Sequence, residues 1–123
     1  MKKREILTKE QFIQKYIEYI EGMKFCMEKN NYKKNNVLAK KFNQFIITHE
    51  KEEYFEEGMY DLMNVEQENI KVSAACNSLR HEIHIKYAIN VLEKIKKMGK
   101  GFDSFHAEIA LKNYYGEIPN RKL

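Results

Sequence analysis

One proline, five glycines, two cysteines and no tryptophan stand among 123 residues, and each scarcity removes a class of structure. With so little proline and glycine there is no low-complexity or linker-like run, so the chain is expected to fold rather than stay disordered. Cys26 and Cys76 are too few for a disulfide framework and form no paired metal-binding motif. Both fall on or beside apolar helical faces and read as reduced, buried thiols, with a single disulfide between them open in principle. No window approaches the roughly 18 uninterrupted apolar residues of a membrane helix. The basic start Met1-Lys2-Lys3-Arg4-Glu5 leads into a capped amphipathic segment, not into the apolar region of a signal peptide. The expectation is a cytoplasmic protein without membrane association. Period-two alternation is also missing, which leaves strands without support.

What is present is charge, unevenly spread. Residues 1–49 carry eleven Lys/Arg against five Asp/Glu, residues 50–69 one against eight, and residues 70–123 ten against five. The net charge of +4 therefore hides an acidic middle between two basic arms. That interruption argues against one continuous basic groove, the usual footprint of nucleic-acid binding.

Helical periodicity runs through the whole chain. Thr8-Lys9-Glu10-Gln11 is a capping box that predicts a first helix carrying Phe12, Tyr16, Ile20, Met23 and Met27 on its buried stripe. Asn30-Asn31 is expected to end it, because asparagine tolerates the left-handed conformation of helix termini. Tyr32 to Asn36 reads as a loop or ragged turn, and a second helix is predicted from Val37 to about His49 through Leu38, Phe42, Phe45 and Ile46. The acidic run from Glu50 is expected to open a third helix, with Phe55, Met59, Leu62 and Met63 inward. Asn64-Val65-Glu66-Gln67 is expected to cap a fourth, buried along Val72, Ala75, Cys76 and Leu79. Arg80 to His84 reads as a connector. A fifth helix spans Ile85 to Met98 and closes at Gly99, and a sixth is capped at Asp103 or Ser104 with Phe102 as hydrophobic staple and Phe105, Ala107, Ile109, Ala110, Leu111 and Tyr114 buried. Gly116 and Pro119 end it, and Asn120 to Leu123 should fray.

The expected fold is all-α: one domain over residues 1–123, built of about six helices as antiparallel hairpins in a right-handed stack.

Catalytic chemistry finds little footing. His81, His84, His106 and Glu108 are the nearest approach to a metal constellation, but HExxH and paired CxxC motifs are absent. Gly99-Lys100-Gly101 lacks the spacing of a phosphate loop and has no strand before it, so it reads as a helix-to-helix turn. No Ser, His and Asp share a local framework that the sequence can reveal, and Cys76 is expected to face the core. The expectation is a chain that is not an enzyme and needs no cofactor or metal. Two surfaces remain. Glu50, Glu52, Glu53, Glu56 and Glu57 place like charges four residues apart, a small repulsive cost that folding does not require. A solvated helix face is the first explanation of this run, and a docking surface for a basic partner is the second. Arg80, His81 and His84 at a hairpin end form the second candidate. Tyr54, Tyr60 and Tyr115 fall off the main stripes and are candidate interface anchors.

The segments VSAACNSLR, HEIH, KYAINVLEKI and GFDSFHAEIALKNYYGEIP carry a further pattern. Paired alanines precede a leucine-basic helix end (Ala74, Ala75, Leu79, Arg80), a second helix holds Ala88, Val91, Leu92 and Ile95, and a third holds Phe105, Ala107, Glu108, Leu111 and Gly116. Over roughly residues 64–119 this resembles a small uncharacterised bacterial family of HEAT-like helical-hairpin proteins, some of them resembling proteins encoded beside polymorphic toxin genes. The resemblance implies a non-enzymatic interaction module, an immunity protein that binds and neutralises a cognate toxin; the lysine-rich N-terminal half falls outside it. The rival expectation is nucleic-acid binding through Lys33, Lys34, Lys40, Lys41, Lys94, Lys96 and Lys97, and a homodimer is a third.

Overall fold

The computed structural model describes residues 6–99 and 101–116. The basic start, Lys100, Pro119 and the tail expected to fray lie outside them. Six helices account for most of the described chain: α1 (Lys9–Glu28), α2 (Tyr32–His49), α3 (Tyr54–Leu62), α4 (Glu68–Arg80), α5 (Ile85–Met98) and α6 (Gly101–Tyr114). There is no strand among the described residues, and the all-helical class read from the sequence holds. Neighbouring helices pack as hairpins, α1 on α2, α4 on α5 and α5 on α6, with α4 also touching α6. The chain divides into two compact units at Gly58 and Met59, within α3.

In the first unit, α1 opens with the expected capping box. The Gln11 amide donates to Thr8 Oγ1 at 3.1 Å, and the Thr8 amide donates to Gln11 Oε1 at 2.9 Å. The helix ends where Asn30 turns left-handed at φ 57°. There the Asn31 amide reaches back to the Cys26 carbonyl (2.8 Å) and the Asn30 amide to that of Met27 (3.1 Å). These are the two bonds of a Schellman closure, which satisfies carbonyls that would otherwise be orphaned. Asn31 then caps α2, its side chain accepting from the Lys34 amide at 3.2 Å. Residues 32–36 thus open α2 as its first turn, the second of the two readings, and are not a loop. The apolar period begins late because this first turn faces solvent, so periodicity alone places the start five residues too far along.

An aromatic cluster centred on Phe12 fills this unit. Its ring stacks on Phe45 at 5.3 Å and meets Phe55 edge-on at 5.7 Å, while Tyr16 meets Phe42 edge-on at 4.9 Å. Tyr19 joins through Phe42 and Phe45. The inward stripe of α1 therefore runs Phe12, Tyr16, Tyr19, Met23, Cys26, with Phe12, Tyr16 and Cys26 buried and Tyr19 and Met23 half-buried, a 3.5-residue repeat suited to two packed helices. Met27, expected inside, falls about 100° off that seam and is 47% exposed. Gly58 completes the cluster: a Cβ there would lie 2.9 Å from Phe12 Cδ2.

In the second unit α4 is buried nearly all round, at Ile70, Val72, Ala74, Ala75, Asn77, Ser78 and Leu79, because α5 and α6 cover different sides of it. Small side chains let those helices approach. Asn64 does not cap α4, which starts at Glu68 with Gln67 as an N-cap that makes no side-chain bond. Instead Asn64 Nδ2 donates to the Tyr60 carbonyl at 2.9 Å and finishes α3. At the far end of α4, Glu82 stands at φ 58°, the Ile83 amide reaches the Ser78 carbonyl (2.9 Å) and the Glu82 amide that of Leu79 (3.1 Å). This is a second Schellman closure, here with a glutamate where glycine is usual.

The predicted bounds of α5 match, down to Gly99 at φ 64°. α6 departs from expectation. It begins at Gly101, Ser104 lies inside it and donates to the Lys96 carbonyl at 3.1 Å, and the inward positions are Ser104, Ala107 and Leu111. Phe102, expected as a staple, is 75% exposed, and Phe105 and Tyr114, expected inside, are 60% and 42% exposed. The inward face is built mainly of small residues and its contact with α5 includes a hydroxyl bond to backbone, which fits close approach and not an inserted ring.

Two substitutions test these contacts. Gly58→Ala should gain about 1 kcal/mol of helix propensity yet lose overall, by about 1–2 kcal/mol, because the Phe12 ring must shift within a packed cluster. Glu82→Gly should raise stability by about 0.5–1 kcal/mol by relieving the left-handed residue. Urea unfolding midpoints read both, and a raised midpoint for Gly58→Ala or a lowered one for Glu82→Gly would contradict the geometry.

Candidate partner-binding surface

The acidic run lies mostly outside helical geometry. α2 stops at His49, Glu50 is its C-cap, and residues 51–53 form turns before α3 begins at Tyr54. Glu52 and Glu53 therefore do not stand one helical turn below Glu56 and Glu57, and the repulsion expected from that spacing does not apply. The turn is closed by backbone bonds from the Glu52 amide to the His49 carbonyl and from the Phe55 amide to the Glu52 carbonyl, both 3.1 Å. Across it, His49 Nδ1 and the Tyr54 hydroxyl share a hydrogen bond of 2.5 Å, with His49 only 4% exposed. Glu56 and Glu57 occupy the first turn of α3, where carboxylates favour the positive end of the helix. Glu57 also pairs with Lys9 at 2.5 Å, a surface contact of at most about 1 kcal/mol. Glu50, Glu52 and Glu56 each make further interactions, and Glu53 is exposed. Much of this run thus has work within the fold.

The hairpin end between α4 and α5 is organised differently. Arg80 is exposed at the last position of α4, its guanidinium 3.4 Å from Asn77 Oδ1, and His81 is the half-buried C-cap. His84, the N-cap of α5, is left-handed at φ 46° and ψ 40°. That conformation costs a residue with a Cβ on the order of 1–2 kcal/mol. Its carbonyl accepts the first helical bond from the Ala88 amide at 2.8 Å. The imidazole is turned toward α3, 5.5 Å from the ring of Tyr60, which in turn lies 4.8 Å from that of Tyr87.

A polar brace locks the group. The Tyr87 hydroxyl donates to Asn64 Oδ1, while the same amide donates to the Tyr60 carbonyl. Tyr60, Asn64, His84 and Tyr87 thus form one cross-braced cluster from the end of α3 and the start of α5, and Tyr60 remains 41% exposed. Tyr60 and His84 were legible as unusual from the sequence. Asn64 and Tyr87 were not, and the available signal was that Tyr87 follows His84 by three residues and so shares its helical face.

Among the described residues no three of His, Cys, Asp and Glu lie together so as to hold a metal ion. Cys76 is half-buried, and burial pushes its thiol from 9.0 up to about 11 against the opposing pull of Arg80. At neutral pH it stays a thiol and a poor nucleophile. No described helix is long and apolar enough to cross a membrane. No family model matches the chain, and neither a curated protein nor a solved structure matches it.

At pH 8 the raised thiol predicts that alkylation of native Cys76 runs about a hundredfold slower than in the denatured chain, the ratio set by the shift from 9.0 to about 11. The same shift makes unfolding easier as pH climbs from about 9 to about 11, because the unfolded chain releases this proton first. Peptide mass spectrometry of timed labelling checks the rate, and equal labelling in native and denatured protein would show the thiol to be exposed and active.

Proposed function

We propose that the chain is a non-enzymatic protein-binding module whose contact surface is the Tyr60–Asn64–His84–Tyr87 cluster, with Arg80 and His81 beside it in sequence. The observation that carries this reading is a set of aromatic rings held in place by internal bonds yet partly open to solvent, beside a turn that keeps His84 left-handed. Tyrosine supplies large contact area at low entropic cost, and rings already braced in the unbound chain lose little freedom on docking. Strained backbone of this kind concentrates at functional positions.

The specific form of the proposal is an immunity protein acting in the cytoplasm, a HEAT-like stack that binds a cognate toxin domain. It is supported by the resemblance over residues 64–119. An exposed carboxylate at Glu53, with Glu50, Glu52, Glu56 and Glu57 around it, would speed association with a basic toxin surface.

Co-expression with the product of the neighbouring gene, followed by titration of the purified pair, tests both levels. The module reading predicts that Tyr60→Ala and His84→Ala each weaken binding at least tenfold, about 1.4 kcal/mol, while circular dichroism stays unchanged. Wild-type affinity in both variants would remove the cluster as the contact surface. Failure of the intact chain to bind or to protect cells would remove the immunity form.

A further inference from the structure

The exposed side of α2 is independent of that surface and has a different chemistry. Its eighteen residues include Lys33, Lys34, Lys40 and Lys41 and no Asp or Glu. All four lysines are exposed. None has a hydrogen-bond or ion-pair partner for its ammonium group among the described residues, whereas Lys9 and Lys112 are paired with Glu57 and Glu108. The steps 33 to 40 and 34 to 41 are seven residues, two helical turns, so the lysines form two rows on one side with members about 10 Å apart.

Two of them run against the helix itself. Lys33 and Lys34 lie in the first turn, beside the positive end of the dipole, where cations are disfavoured. Lys96 and Lys97, by contrast, lie in the last turn of α5, where the dipole favours them. Lys86 in the first turn of α5 shares that disadvantage but stands alone there, whereas on α2 the two first-turn lysines continue into Lys40 and Lys41 on a helix without an acidic residue.

We infer that the α2 face binds the phosphate backbone of double-stranded nucleic acid, without reading sequence. Charge complementarity selects a polyanion. A helix face with one exposed aromatic residue, Tyr32, offers no stacking platform for unpaired bases, which favours duplex over single strand. Lysine, a point charge without the bidentate fork of arginine, contacts phosphate and does not by itself specify bases. Exposed Asn36, Asn43 and Gln44 flank the rows as further donors to phosphate oxygens.

Fluorescence anisotropy of a labelled duplex with the full chain, over a range of salt, tests this. Four phosphate contacts predict a slope of log affinity against log salt of about −3.6. The K33Q/K40Q variant should flatten that slope by about 1.8, while K96Q/K97Q leaves it unchanged. No binding at about 50 mM salt overturns the proposal. So does a slope that survives K33Q/K40Q but falls in K2Q/K3Q, which would assign binding to the N-terminal residues. Equal affinity for poly-glutamate would show the face to be an acidic-protein site instead.

Discussion

Reversal of the chain within a few residues is the constraint on which the hairpins depend. A helix can lie back on its neighbour only if its last carbonyls are satisfied while the backbone turns. Three connections manage this with residues at positive φ: Asn30 after α1, Glu82 and His84 between α4 and α5, and Gly99 after α5. Only the last is a glycine. At Asn30 and Glu82 the same pair of back-reaching amide bonds closes the helix, and at Asn31 the chain caps the next helix one residue later. The connections are short because closing and opening are done by adjacent residues.

The two units then solve packing in opposite ways. The first gathers large rings on Phe12 and makes room for them with Gly58. The second surrounds a helix of small residues, Ala74, Ala75 and Ser78, and its sixth helix approaches through Ser104 and Ala107. The sixth helix meets its neighbours through Ser104, Ala107 and Leu111, while Phe102 and Phe105 point outward. Tyr60 and Tyr87 also lie at the surface side of their helices, but there a buttressing amide, Asn64, orders them. That difference separates a braced cluster from scattered exposed rings, and it is why the cluster and not α6 carries the proposed contact.

Features written in local chemistry were legible. The Thr8 capping box, the Asn30 break, and both ends of α5 follow from residues within four positions of each other, and the structure places them as read. Features that depend on a partner helix were not. The seam of α1 shifts from Met27 to Tyr19 and Cys26 because the spacing of α2 decides which side is covered. Asn64 looks like a cap in sequence, yet it finishes the preceding helix and receives Tyr87 from 23 residues away. Of the candidate surfaces, His84 was chosen for its place in a turn, and its contact with Tyr60 adds what periodicity could not supply. The acidic run shows the reverse: a charge pattern that looked costly on a helix loses its cost once residues 51–53 are seen to be turn.

The turn around His84 is what makes the surface a fixed shape instead of a flexible loop, and the binding proposal stands on that rigidity. Amide hydrogen exchange of the native chain addresses it directly. The Ile83 amide, bonded to the Ser78 carbonyl, and the Ala88 amide, bonded to that of His84, should exchange with the slow class of α4 and α5, protected by on the order of a hundredfold or more. Exchange of either amide at the rate of an unstructured peptide would show the turn open in solution and contradict the account.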